Sequence, residues 1–491
     1  MRCVVFVMDE VRGVARRIGC VAALLAAVCG LVAGISVSAQ AETLKEALAS
    51  AYRSNPALLA ERKRVEATDE GVPQARSGFR PRLIARGDVA REYTNTRPRT
   101  GFVAPRPRSG STTEHGYEIE FSQSLFNGFR TVNSVRQAEA NVLVARESLR
   151  EIEQSTLLAA VTAYMDVIRD RAIVRLRENN VRVLSGELHA AQVRFDAGDA
   201  TKTDVAQARA RRAGTLSSLN LAKANLRASR ADYVRVIGHS PGDLTPPPPA
   251  SQGLPESLTA AIELAQTESP NVVQAAFREI SARHEVDIVS GELLPEVNLE
   301  GSYEQRLGSS LTTAKNETAQ VGGRLTVPLY QGGEVFARIR AAKRNRERRA
   351  QQIEEARQAA RASAVRAWSD MGAARAQLAA ARVEVEANRT ALIGVRAEER
   401  VGQRTVLDVL DAEQEFLDAQ NNLVSIRRDL VVASYSLLAA TGRLTAGDAN
   451  LNVELHDPEV YYDLVHPKFW GTSVTPNEDY DGYAIEEDWI E

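Results

Sequence analysis

Two aspartates three residues apart, Asp408 and Asp411, follow Thr405 at the head of a proline-free tract. Residues three apart on a helix share a face, and carboxylates near a helix start complement the partial positive charge of its first turn. Thr405, with Asp408 three positions on, also has the spacing of an N-cap and its N3 partner. An earlier stretch repeats this arrangement with Thr201 before Asp204, but it carries Gln207 where Asp411 stands. Capping alone does not require that second acid. A glycine precedes each threonine, Gly198 and Gly402, and both suit the position just past a helix end. Glu399 and Arg404 flank the second of them. No other cluster offers a reaction centre. The six histidines are scattered, no metal-ligand spacing occurs, and Gly322-Gly323 and Gly332-Gly333 read as strand or turn glycines rather than phosphate cradles. The chain therefore reads as a non-enzyme with no cofactor and no metal.

The elements that must position these residues come as a duplication. Leu44, Leu48 and Pro56 recur as Leu258, Ile262 and Pro270 at an offset of 214, and Gly198, Thr201, Asp204 and Val205 recur as Gly402, Thr405, Asp408 and Val409 at an offset of 204. Each copy is too long for a small stacked repeat, so one domain is used twice. Its order is a short helix, a proline-opened alternating segment, a loop, a second alternating segment and a very long helical tract. No proline interrupts Pro107 to Pro241 or Pro328 to Pro458. Leu157, Val161, Tyr164, Ile168 and Ala172 form the stripe of a helix packed in coiled-coil fashion. A helix from Arg130 to Ala197 would run about 100 Å at 1.5 Å per residue, and with the break at Gly198 each half holds a long antiparallel hairpin. Its counterpart turns at Gly402.

Four stretches alternate with the period of a strand. Val297, Leu299, Gly301 and Tyr303 oppose Asn298, Glu300, Ser302 and Glu304; Val321, Gly323, Leu325 and Val327 oppose Gln320, Gly322, Arg324 and Thr326. Tyr117, Ile119 and Phe121 oppose Glu118, Glu120 and Ser122, and a weaker run spans Leu83 to Val89. Loops are expected at 94–116 and about 306–317, both rich in small polar residues. One apolar and one charged face fits a half-buried soluble sheet or a membrane barrel with a wet lumen. Four strands cannot close a barrel, and an open edge cannot sit in lipid. If these strands span a membrane, several protomers must each contribute four.

At the N-terminus Arg12, Arg16 and Arg17 precede an apolar run from Ile18 to Val37, and Ala39-Gln40-Ala41 ends it as a cleavage site would. Residues 1–41 are expected to be a secretory signal peptide, the alternative being a retained membrane anchor. All three cysteines, Cys3, Cys20 and Cys29, lie within it, so thiol chemistry is excluded from the remainder. The organisation expected is this segment, a first repeat at 42–238, a proline-rich linker at 239–255, a second repeat at 256–445 and an acidic tail at 446–491. That tail has a net charge of −11, and the rest of the mature chain has +6. An excess dispersed along helix faces is not a nucleic-acid footprint. The tail also holds Tyr461, Tyr462, Phe469, Trp470 and Trp489, and is expected to be a partly ordered periplasmic segment bordering the midsection of the helical layer, the alternative being full disorder.

Residues 42–445 resemble the TolC family of bacterial outer-membrane channel-tunnels. The match is most specific in RVGQRTVLDVLDAEQEFLDAQNNL, Arg400 to Leu423. Asn55-Pro56, Leu125-Phe126-Asn127-Gly128 and Leu329-Tyr330-Gln331-Gly332-Gly333 are also similar. The resemblance implies an α+β membrane protein: a homotrimer whose twelve-stranded β-barrel in the outer membrane continues as a twelve-helix α-barrel through the periplasm. It implies a passive exit duct that works with a periplasmic adaptor (membrane fusion protein) and an inner-membrane ABC or RND transporter, in contact with outer-membrane lipid. By the same resemblance Asp408 and Asp411 match the aspartates ringing the periplasmic constriction, and Arg404 and Asp204 match a pair that latches the tunnel closed. Glu399 stands where a tyrosine joins that latch, so a pairing of Glu399 with a neighbouring arginine is expected instead. The lack of an acylation cysteine leans toward type I protein secretion over drug efflux. A periplasmic long-helix adaptor or structural coiled coil would explain the helices but not four amphipathic strands in repeated register. A soluble periplasmic enzyme would need a site, and the sequence offers none.

Overall fold

The computed structural model describes residues 41–96, 108–308 and 314–474. The signal-peptide expectation and the end of the acidic tail lie outside the described residues. Each half begins with two helices rather than the single short one expected: α1 (Leu44–Ser54) and α2 (Pro56–Asp69) in the first, with α3 (Gly71–Arg76) continuing it. Proline explains the division, because it is favoured at the first helical position and cannot continue a preceding helix. Asn55 caps α2, its Oδ1 accepting from Ala57 N–H at 3.0 Å.

The strands follow: β1 (Arg82–Thr96) and β2 (Arg108–Asn127). They lead into α4 (Arg130–Ala197), which turns back as α5 (Lys202–Ile237). The second half repeats the order with α6 (Leu258–Glu268), α7 (Pro270–Gly291), β3 (Glu296–Leu307), β4 (Lys315–Thr326), α8 (Glu334–Arg400) and α9 (Val406–Ala440). A last helix, α10 (Pro458–Val465), lies in the acidic tail. Among the described residues, no helix is long and apolar enough to cross a membrane.

The four strands form one antiparallel sheet in the order β1-β2-β3-β4. Its register puts Leu83 beside Phe121, Ile119 beside Tyr303 and Gly301 beside Val321, so the apolar residues of all four strands share a face. That face is uncovered: Leu83, Val89, Val321 and Leu325 are between 64% and 83% exposed. The opposite face carries ion pairs, Arg86 with Glu120 at 2.6 Å and Arg324 with Glu300 at 2.9 Å. A bulge between Ser124 and Phe126 leaves Leu125 unpaired and keeps Phe126 opposite Val297 on the apolar side. The expected loops prove shorter, because strand pairing continues through Thr94 with Gly110 and Arg91 with Thr113. A ribbon projecting beyond an apolar band faces water on both sides, so its residues need not alternate. The β1–β2 ribbon reaches seven ladder positions past Val89 and His115, where pairing to β3 ends at Leu307.

The repeat offset of 204 also fixes the corners. Left-handed backbone occurs at Gly128 and Gly332, Gly198 and Gly402, and Gly238 and Gly442. At the fourth pair the first half uses Phe129 (φ 61°) where the second has Gly333 (φ 84°). Phe129 packs edge-on against Phe126 at 5.2 Å, which offsets part of the roughly 1–2 kcal/mol that a side chain costs in this region.

Away from the sheet α4 packs along α5 and α9, and α9 along α8; nearer the sheet α7 lies between α4 and α8. The main core sits at mid-height, where Leu157, Val161 and Tyr164 of the predicted stripe are fully buried with Leu48, Leu58, Tyr233 and Ile237. The Tyr164 hydroxyl lies 2.7 Å from the Glu42 carbonyl and 2.8 Å from that of Thr245, joining the start of the first repeat to the linker.

Candidate functional site

The far ends of the two hairpins hold the residues singled out by sequence. α4 stops because Gly198 adopts φ 89°, which lets the Asp199 N–H reach the Arg194 carbonyl at 2.8 Å. α8 stops the same way at Gly402, φ 77°, with the Gln403 N–H donating to the Glu398 carbonyl at 2.9 Å. Each returning helix opens with a reciprocal capping box. Asp204 Oδ2 accepts from the Thr201 N–H at 2.8 Å, and Asp408 Oδ2 accepts from the Thr405 N–H at 2.8 Å. In return the Thr201 and Thr405 hydroxyl oxygens accept from the Asp204 and Asp408 N–H groups, at 3.2 and 3.3 Å. Both carboxyls are held below the usual aspartate range, first by the backbone donor and then by the threonine hydroxyl. Asp408 is therefore anionic across the physiological range, with one oxygen committed to its own helix.

Asp411 is placed differently. Its Oδ1 accepts from Arg211 Nη2 of α5 at 2.5 Å, and its side chain is about half exposed. Glu399 pairs with Arg194 of α4. Both pairs tie the first hairpin to the second, as does Arg428 with Asp166 at 2.8 Å further up. Within the second hairpin Arg396 pairs with the buried Glu413, whose pKa burial raises against that partner's pull. Arg404 and Asp204 are not brought together in one protomer. Arg404 Nε donates to Glu398 at 2.9 Å instead, and Asp204 is taken up by its cap.

Sequence reasoning missed Arg194, Arg211 and Glu398. Comparison of the two repeats in register holds a signal for them, since Arg194 stands where the second copy has Glu398 and Arg211 where it has Glu415. Arg194 and Arg211 do pair across the hairpins, with Glu399 and Asp411, whereas Glu398 is taken by Arg404 of its own hairpin. Each exposed pair alone contributes only ~0–1 kcal/mol, so the ends are held by several weak, separable contacts. Such a set permits movement.

The comparisons with known proteins agree with this architecture. Residues 47–239 and 261–443 match the family profile described as outer membrane efflux protein. Over 452 residues the chain is 37% identical to the outer membrane efflux protein BepC of Brucella suis biovar 1, covering 91% of this chain and 96% of that protein. It is 27% identical over 424 residues to the outer membrane protein TolC of Vibrio cholerae, covering 84% and 94% respectively. Among solved structures, the Campylobacter jejuni CmeC outer membrane channel superposes with a TM-score of 0.73 at 15% identity, over 86% of this chain and 89% of that one.

Proposed function

The chain belongs to the outer membrane efflux protein family, a family of outer-membrane channels and not of enzymes, and on that premise we propose that it is the exit duct of a tripartite export system with an aspartate-ringed periplasmic gate. The observation that carries this reading is the sheet: an uncovered apolar face, a charged face, and two edges, β1 and β4, without partners among the described residues. In lipid those edges must be paired, and three protomers closing edge to edge give a barrel whose charged face lines water. The helical layer has matching open sides, where α5 exposes Leu221 and α8 exposes Val383 and Ile393. A periplasmic adaptor and an inner-membrane transporter load the duct, and the duct itself is passive.

At the hairpin ends three copies of Asp408 and Asp411 place six carboxylates around one narrow passage, a field that favours cations. In this reading Arg211 holds Asp411 and Arg194 holds Glu399 while the passage is closed, and Arg404 meets Asp204 of a neighbouring protomer. Opening separates these pairs. Single-channel recording in planar bilayers tests the assignment. Replacing Asp408 and Asp411 by Asn should weaken cation selectivity and multivalent-cation block in a folded trimer, whereas Arg404→Ala or Arg211→Ala should raise conductance without changing selectivity. A double Asn variant with unchanged selectivity and a less stable trimer would reduce both aspartates to capping and packing roles.

Similarity to a protein named for efflux supports small toxic compounds as cargo, and type I protein secretion is the competing role for the same duct. Deletion of the gene separates them: sensitisation to dyes and detergents with intact secretion marks efflux, and loss of a secreted protein marks type I secretion.

A further inference from the structure

The chain beyond residue 445 belongs to neither repeat and is not part of the proposed gate. From Leu444, Ala446 and Leu451, which are buried in the main core, it runs back toward the sheet. Its contacts climb in step. The His456 N–H donates to the Tyr52 hydroxyl at 3.0 Å, the Tyr461 hydroxyl donates to Glu70 at 2.9 Å, and Glu459 pairs with Arg146 at 3.1 Å. Next, Arg76 Nη1 donates to the His466 carbonyl at 3.3 Å and Arg80 Nη2 to the Lys468 carbonyl at 3.1 Å. The Arg80 guanidinium lies 5.3 Å from the Phe469 ring centroid. Arg80 is two positions before β1, and Leu83 is the first residue of the apolar sheet face. The tail has thus carried Phe469 and Trp470 to the foot of the sheet.

There both rings are turned outward, Phe469 70% and Trp470 88% exposed. They join a band of uncovered apolar side chains at the same level, including Phe79, Leu125, Leu329 and Tyr330. Aromatic rings concentrate where hydrocarbon gives way to headgroups, and cations beside them meet lipid phosphates. Here Arg80 and Lys468 supply the cations. We propose that Lys468 to Val474 is a lipid anchor in the periplasmic leaflet of the outer membrane, with Phe469 and Trp470 seated among the headgroups. The apolar sheet face and this segment then form one continuous lipid-contacting surface, although the segment lies outside the barrel strands. Trimer formation and conductance test the duct; lipid contact tests the tail, and either can fail without the other.

The three cysteines, Cys3, Cys20 and Cys29, all lie in the expected signal peptide; with each replaced by Ser as well, Trp470→Cys carrying a nitroxide reports one site in the full chain. In phospholipid vesicles the ratio of the label's relaxation by oxygen to that by an aqueous nickel chelate should be several times the ratio at an exposed position of the helical layer far from the sheet, such as Ser217→Cys. A ratio equal to that control's would place the segment in water or in the lumen, and protection from both agents would place it against another protein; either result overturns the proposal. Emission gives an independent measurement. With Trp368 and Trp489 replaced by Phe, Trp470 should lose most of its fluorescence to headgroup-labelled nitroxide lipid and little to acrylamide, and the reverse pattern would refute lipid contact.

Discussion

Asp69 is the least compensated charge in the described chain. It is fully buried on α2, neither carboxylate oxygen has a hydrogen-bond partner, and burial pushes its pKa up from 3.8 to about 6 despite the attraction of Arg146. Because the folded-state value is raised, the folded chain binds a proton that the unfolded chain has already released. Stability therefore falls as pH rises from 3.8 to about 6 and is flat above. Asp69→Asn should raise stability at pH 8 by at most roughly 3 kcal/mol, since each pKa unit is worth about 1.4 kcal/mol, with the gain vanishing in acid. Thermal melts of both proteins at alkaline and acid pH check this. Asp408 behaves oppositely: its depressed pKa means that its capping contribution is present at neutral pH and lost as pH falls below the usual aspartate range. The Thr405–Asp408 cap was legible because both partners lie within one turn. The Arg211–Asp411 pair was not, because its partners are 200 positions apart and only the folded hairpins bring them together.

At the scale of elements, length and interruption of the helices were legible, since proline-free tracts and glycines at matched offsets carry that information locally. The two-helix opening of each repeat and the bulge at Leu125 were not. A bulge is set by the demand that Phe126 face the apolar side with Val297, which is a property of the paired strand. The corner glycines divide by surroundings. A Cβ on Gly128 would stand 2.2 Å from the Gly291 carbonyl oxygen, whereas one on Gly402 would meet nothing within 4 Å. Both have positive φ, so Gly402→Ala should cost only the intrinsic ~1–2 kcal/mol of the left-handed region. Gly128→Ala should instead block the passage from strand to helix and abolish assembly. Trimer yield from membranes, with melting of whatever assembles, distinguishes the two outcomes.

The whole molecule is incomplete as one chain, and that much followed from counting strands. Which surfaces meet did not, because one sequence records no partner register. If protomers close edge to edge, the outward amides of β1 and β4 are hydrogen-bonded in the trimer, and hydrogen exchange there should be as slow as in β2 and β3. Exchange at loop-like rates along either strand would mean the edges stay open. The tail was read as partly ordered along the midsection; its buried start lies there, but its last described residues run on to the foot of β1, a path set by Arg76 and Arg80 from the other end of the chain. The unequal ribbons have a further consequence. Seven extra ladder positions at about 3.3 Å each lift the β1–β2 hairpin on the order of 20 Å above its β3–β4 neighbour, three times around the rim. In the proposed trimer a large particle approaching from outside the cell would therefore meet the first repeat before the second, so the two halves of one duplicated unit would face different surroundings at the rim.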